Sequence, residues 1–306
     1  MNKKNNSGFW AILVSAMIYG SYGVLARHLD GAFGYFTQVL FRSAVALLIV
    51  AVFVVVSRTK FSLSKKDSLK AILLGLSFFG GVVLFTVGSI LDKISVVMFV
   101  FYAGSFATSF FVSTYYYREK VTLQKGIALG IVLVGLVITT GLDFSNLSWG
   151  LLAAFGSGVL DAIANNFRKQ LADLPKQEVL LLQFAIASGL SLLFIMLTKE
   201  VVIKDFTTSA VVAGIAWGIF WIIGNQLIMI GYRHFDFFLA QIVLSSEIFF
   251  ATVLAFFFFH EIPNMYELIG GILIFIGVCV VDIDFSIIKQ RLRGARERIC
   301  SAGSLR

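Results

Sequence analysis

Ten runs of about 20 largely apolar residues, the length a helix needs to cross the hydrocarbon core of a bilayer, occupy almost the whole of this chain. They fall at about 9–27, 35–57, 70–91, 95–117, 123–141, 148–168, 178–198, 209–232, 237–259 and 265–282. Charges or turn-forming residues punctuate them, as at Asp30-Gly31, Asp92-Lys93, Asp143 to Asn146 and Pro175. With 58% hydrophobic and 14% charged residues, the chain carries more apolar side chains than a soluble core could hide, so lipid must face much of its surface. The expectation is an all-α integral membrane protein. Lys3 and Lys4 ahead of the first run mimic a secretion signal, but further runs follow at once and no small-residue cleavage pattern ends the first, so it is read as a retained helix.

Direction follows from the basic residues, which accumulate in cytoplasmic loops. With the N-terminus inside, the cytoplasmic segments hold twenty Lys and Arg, and the opposite side holds four, Arg27, Lys93, Lys199 and Lys204. Arg168, Lys169 and Lys176 count among the twenty. Both termini are therefore expected in the cytoplasm of a cell with an inner membrane. The +8 net charge lies in alternate loops and not on one soluble face, which argues against nucleic acid as a partner.

The chain repeats itself. A shift of 142 residues lays Arg118-Glu119 on His260-Glu261, Ala128 on Gly270 and Gly135 on Gly277, and a shift of 139 lays Trp10 on Trp149. Five spans per copy is an odd number, so the two copies run in opposite senses, a recurrent transporter plan with its binding site between the halves. The reading is ten transmembrane helices in two inverted five-helix repeats, residues 1–142 and 143–285, followed by a basic cytoplasmic tail, 286–306. On this layout, on Phe41-Arg42 in the second span, on Glu119 and Glu261 closing spans four and nine, and on the glycine-rich spans five and ten, the chain resembles EamA-type members of the drug/metabolite transporter superfamily. The resemblance implies a central cavity lined by both repeats and alternating access. The family often places a proline after a glutamate in span nine; here Ser246-Glu247-Ile248 has none, so a kink that depends on proline is not expected there.

Ionisable groups at bilayer depth cost about 2.5–3.5 kcal/mol on insertion scales and usually face the bundle interior. Arg42, Asp161 and Glu247 are such groups. Glu247, about 15 Å into span nine, could bind a proton, a cation or a substrate amine, or could bond neighbouring helices together. Arg42, about 10 Å from the outer face, could snorkel outward or pair with Glu247, and together they could clamp a zwitterion. Ser157, Asp161, Asn165 and Arg168 recur at spacings of 4, 4 and 3 along one face of span six. Ser15, Tyr19 and Tyr22 match them on span one, and Trp221 and Asn225 share a face of span eight with Gly214 and Gly218. Tyr19, Tyr22, Arg42, Asp161, Asn165, Trp221, Asn225 and Glu247 are the candidate substrate-binding residues; a buried polar stripe that only packs helices is the alternative for each. Glu119 and Glu261 are read as caps on following helices. Gly80-Gly81, Gly126 with Gly130, Gly214 with Gly218 and Gly270-Gly271 are read as helix-packing surfaces.

The functional expectation is transport of small metabolites, amino acids or related amphipathic compounds, with protons as a candidate coupling ion. The alternatives are transport of a quaternary amine held by aromatic faces and, from another class, a non-transporting receptor or assembly factor. An enzyme is disfavoured, since His28, His234 and His260 lie near span ends without metal-ligand spacing and no phosphate-binding loop follows a strand. No cofactor is expected, and the two cysteines, Cys279 and Cys300, sit apart in an apolar run and the tail.

Overall fold

Short polar side chains set several helix starts. Ser64 accepts from the Asp67 N–H at 3.1 Å, Ser148 from Leu151 at 3.1 Å and Thr207 from Ala210 at 3.3 Å, each satisfying a donor that an N-terminus leaves free. The structure is a computed structural model and describes residues 3–58, 61–119, 122–140, 148–205, 207–260 and 265–282. Its first half contains α1 (Lys3–Gly20), α2 (Tyr22–Asp30), α3 (Tyr35–Val56), α4 (Lys65–Leu91), α5 (Ile94–Phe111) with a π-helical turn (Val112–Tyr116), and α6 (Leu123–Thr140). The second contains α7 (Trp149–Gln170), α8 (Lys176–Thr198), α9 (Thr208–Tyr232), α10 (Phe237–Leu244), α11 (Glu247–Phe259) and α12 (Met265–Asp282). Apart from an isolated bridge between Phe33 and Ile203, the regular structure of the described residues is helical.

Among the described residues, seven stretches are long and apolar enough to cross a bilayer: Ser7–Asp30, Tyr35–Val56, Lys65–Leu91, Val96–Tyr116, Lys176–Thr198, Thr208–Tyr232 and Phe237–Phe259. The protein is a multi-pass membrane protein. Of the other three expected spans, α7 is 22 residues long, but Asp161, Asn165 and Asn166 dilute its hydropathy. In α6 and α12 the apolar stretches are the shorter Gly126–Gly135 and Leu268–Gly277. The outer faces expose Val52, Val56, Met196, Leu197, Phe257 and Phe258, a surface suited to acyl chains and unsuited to water.

Helix packing keeps its pattern when the two halves are exchanged. α4 packs on α7 as α9 packs on α1; α5 packs on α7 as α11 packs on α1; α4 packs on α8 as α9 packs on α3. α3 with α8, and α6 with α12, form pairs that map onto themselves. The backbone repeats as well. Among the described residues, four non-glycine residues take the left-handed conformation, at Arg58, Arg118, Lys199 and His260 with φ between 47° and 53°. Arg118 and His260 are the pair that the 142-residue shift superposes.

Glycines set the closest approaches. A side chain at Gly158 would run into the Phe101 carbonyl and one at Gly104 into Phe155, so α5 and α7 meet backbone to backbone. Gly214 and Gly218 press on Phe41 and Arg42 to Val45 of α3, Gly80 on Leu160, and the carbonyl of Gly270 on Gly135. Gly126 and Gly130, expected to pack, have nothing within 4 Å; they lie on the open side of α6.

Span nine is broken by another device than proline. Although no proline is present, the helix is interrupted at Ser245 and Ser246. Both hydroxyls turn back onto the carbonyls of Ile242 and Val243 at 2.7 and 2.8 Å, and the Ile248 N–H bonds to Ser245 at 3.1 Å. Paired serines that compete for backbone carbonyls can loosen a helix in the absence of proline. Glu247 consequently starts α11 and is not the middle of a continuous rod.

Candidate substrate-binding site

One face of α7 becomes the polar wall of a central cavity. Ser157 donates to the Gly81 carbonyl at 2.7 Å and fixes α7 against α4. A turn further, Asn165 donates its amide to Asp161 at 2.8 Å, and its carbonyl oxygen accepts from an Arg168 Nη1. The same Nη1 stands 3.8 Å from Asp161, while Arg168 Nε donates to Asn225 at 2.8 Å. Asn225 is held in turn by Gln183 at 3.2 Å and by its own bond to the Trp221 carbonyl at 2.8 Å. Arg168, only 2% exposed, is thereby fixed as an oriented guanidinium whose charge is shared with one carboxylate and two amides. A buried cation without such partners would be unstable.

The opposite wall comes from α5, α10 and α11. The Tyr102 hydroxyl lies 2.7 Å from the Glu247 carboxyl and 2.7 Å from the Leu244 carbonyl. Aromatic rings close the remaining sides. Phe85 meets both Tyr22 and Phe101 edge-on, and Phe78 meets Trp221 edge-on at 5.0 Å. Tyr19 adds a buried hydroxyl with no partner. The space between these walls amounts to about 640 Å³ together with the open solvent at its mouth.

Six of the eight sequence-derived candidates, Tyr19, Tyr22, Asp161, Asn165, Trp221 and Glu247, line this cavity. Arg42 and Asn225 lie behind it. Arg42 donates Nε to the Gln38 carbonyl at 2.9 Å and Nη2 to the Tyr22 hydroxyl at 3.2 Å, with its guanidinium 4.9 and 5.1 Å from the Tyr22 and Trp221 ring centres. It neither snorkels nor pairs with Glu247, because two rings intercept its charge before it reaches the cavity. Arg168, counted with the cytoplasmic loop cations, is instead the cation of the site. Its spacing on the polar stripe already placed it on the same face as Asp161 and Asn165. Tyr102 was missed, since a tyrosine among Phe99, Phe101 and Phe106 carries no periodic polar signal.

Glu119 reaches further than the next helix. It accepts from the Phe237 and Phe238 N–H groups at 2.6 and 3.3 Å and from Lys169 at 3.0 Å, so it caps the distant α10. Glu261 lies outside the described residues, as does the basic tail. Among the described residues no group of three or more His, Cys, Asp or Glu side chains is placed to hold a metal.

The sequence profile described as the EamA-like transporter family matches residues 6–141 and again 147–282. A solved structure titled only "Crystal structure of protein" is similar with a TM-score of 0.75 at 19% identity, over 90% of this chain and 98% of that one. At that identity the likeness is one of fold. No curated protein matches the chain.

Proposed function

The chain belongs to the EamA-like transporter family, with one copy of the family sequence in each half, and on that premise we propose that it carries small zwitterionic metabolites, amino acids or close relatives, through the central cavity by alternating access. Membrane transport within the drug/metabolite superfamily is what the family does. The substrate class is read from one observation: a single cavity joins an oriented guanidinium, Arg168, two carboxylates, Asp161 and Glu247, and a ring-lined wall. Arg168 offers its fork to a substrate carboxylate. Asp161 or Glu247 takes the amine, and Phe78, Phe85, Phe101 and Trp221 take an apolar side chain. Glu247 is the residue at which a proton would exchange with substrate.

Ten spans in two inverted repeats are part of the proposal. The exchange symmetry of the packing supports it, as do the matched left-handed residues. So does Tyr102, whose hydroxyl bonds to the residue 142 positions later, as equivalent residues beside a two-fold axis must meet. The short α6 and α12 and the polar α7 then complete the bundle. The twenty-to-four charge bias, reduced by one now that Arg168 is buried, still supports cytoplasmic termini in an inner membrane.

Counterflow in vesicles holding purified protein and a mixed amino-acid pool tests this reading. Saturable exchange of at least one radiolabelled amino acid is expected, and its absence with correctly inserted protein would overturn it. A second reading, transport of a quaternary amine, is favoured by the two acids against one cation in the lining and by the facing rings. Exchange of choline that survives Arg168→Gln while amino-acid exchange does not occur would select it.

A further inference from the structure

One hydroxyl proton cannot serve two acceptors. The Tyr102 oxygen lies 2.7 Å from both Glu247 Oε2 and the Leu244 carbonyl, and a tyrosine hydroxyl has a single hydrogen to donate and lone pairs to accept. Leu244 O can only accept. Both contacts are hydrogen bonds at once when Glu247 carries a proton and donates it to Tyr102, which then donates to Leu244. An ionised Glu247 would draw the tyrosine proton to itself and strip the Leu244 carbonyl of its donor.

That carbonyl depends on Tyr102 because the helix is broken there. Its ordinary partner in a continuous helix, the Ile248 N–H, is bonded to Ser245 O instead at 3.1 Å. A carbonyl without a donor inside a bilayer must find one. The nearest remedy is to recapture the Ile248 N–H, which would restore the helical turn and straighten α10 into α11. Leu244 and Glu247 both face the cavity, so such a change moves its wall.

We infer that Glu247 and Tyr102 form a proton-operated latch on the break in span nine: with the proton bound, Tyr102 caps Leu244 and the break is held; with it released, Tyr102 turns to the carboxylate and the helix closes. This deepens the transport reading and rests on it for its purpose. A substrate ammonium approaching Glu247 replaces the departing proton, one positive charge for another, so proton release and substrate capture act on the same latch. The proton leaves from Glu247 to water in the cavity, and no other bond is broken.

The groups that share this space with Glu247 are Tyr19 of α1, Tyr22 of α2, Tyr102 of α5, and Asp161 and Arg168 of α7. On α12, which also packs against α11, Tyr266, Glu267, Cys279 and Asp282 fall in the first and last turns. Asp161 is already engaged with Asn165 and Arg168. Glu247 and Tyr102 are left to each other.

Amide hydrogen exchange of the segment from Gln241 to Thr252, in full-length protein in lipid nanodiscs, reads the latch directly. After correction for intrinsic rates, exchange at Ile248 in wild type should be several-fold slower in mildly alkaline than in mildly acidic buffer, because its N–H passes from the single-turn bond to Ser245 O at the break to the Leu244 carbonyl of a closed, continuous helix. Glu247→Gln donates to Tyr102 as the protonated acid does, and should show the acidic pattern in both buffers. Tyr102→Phe removes the cap and should show the alkaline pattern in both. Wild-type exchange that ignores pH, or a pH response that persists in Glu247→Gln, would overturn the latch. If Tyr102→Phe does not fold, Glu247→Gln decides alone by the same criterion. Vesicle counterflow with the amino-acid pool separates the two ideas: lost transport beside a working exchange response removes the transport reading only, and transport beside an unresponsive segment removes the latch only.

Discussion

Arg168 and Arg42 carry the same charge inside the same bundle and do different work because their neighbours differ. Arg168 is held by Asp161, Asn165 and Asn225, which engage Nε and Nη1 and fix the plane of the guanidinium at the cavity wall. Lysine keeps the charge and loses the fork, so Arg168→Lys should raise the half-saturating concentration in counterflow by about ten- to a hundredfold, the value of one to two charge-assisted bonds. Arg42 supports Tyr22 and Trp221 from behind. Arg42→Lys should therefore lower the thermal unfolding temperature while leaving that concentration within about threefold, since a cation–π partner changes and no cavity group does. At the membrane edge, burial alone would raise the Glu119 carboxyl, but Lys169, the Phe237 N–H and Ser113 outweigh it and hold it below its ordinary value. A group with a depressed folded pKa contributes stability above its unfolded pKa, about 4.3, and loses that contribution as pH falls through the folded value. Glu119→Gln should thus destabilise by about 1–3 kcal/mol at neutral pH. Thermal unfolding followed down to acidic pH should show the gap from wild type shrinking.

The elements are held to the site by contacts whose tolerance can be read position by position. α5 and α7 carry Tyr102 on one side of the cavity and Asp161 on the other, and they meet through Gly104 and Gly158, where an added methyl strikes backbone. A rigid carbonyl cannot rotate away as a side chain can. Gly158→Ala should cost about 1–3 kcal/mol or prevent folding, seen as loss of the monodisperse peak in size-exclusion chromatography. Gly130→Ala, on the open side of α6, should be neutral or stabilise by up to about 1 kcal/mol through helix propensity. Equal losses in both variants would mean that close approach is not what these glycines provide. The break in span nine belongs to this scale too: two buried serines and the Tyr102 cap do what a proline does elsewhere, and none of the three is a helix breaker by composition alone.

At the scale of the molecule, reporter fusions after Lys66 and Lys176 should report the cytoplasm, and fusions after Asp30 and Asp205 the outside; two reversals would dismantle the inverted-repeat arrangement, which needs five crossings per half. The seven strongest spans and the doubled family sequence were legible from residue order, because the cost of entering lipid is a property of each segment by itself. The Asp161, Asn165 and Arg168 stripe was legible as well, since residues three and four apart must share a helix face. Beyond that reach, residue order carries little information about partners. Tyr102 and Glu247 are separated by 145 residues and Arg168 and Asn225 by 57; hydropathy records that each lies in a span and says nothing of which faces meet. The same limit misplaced Arg168, whose position at the end of an apolar run resembles a loop cation, and joined Arg42 to Glu247 by depth when Tyr22 and Trp221 stand in between. Segment length and hydropathy decided that the chain enters the membrane. Which polar groups share the cavity, and where span nine breaks, were decided only by helix packing, because glycine contacts and long-range hydrogen bonds fix each helix's rotation about its own axis.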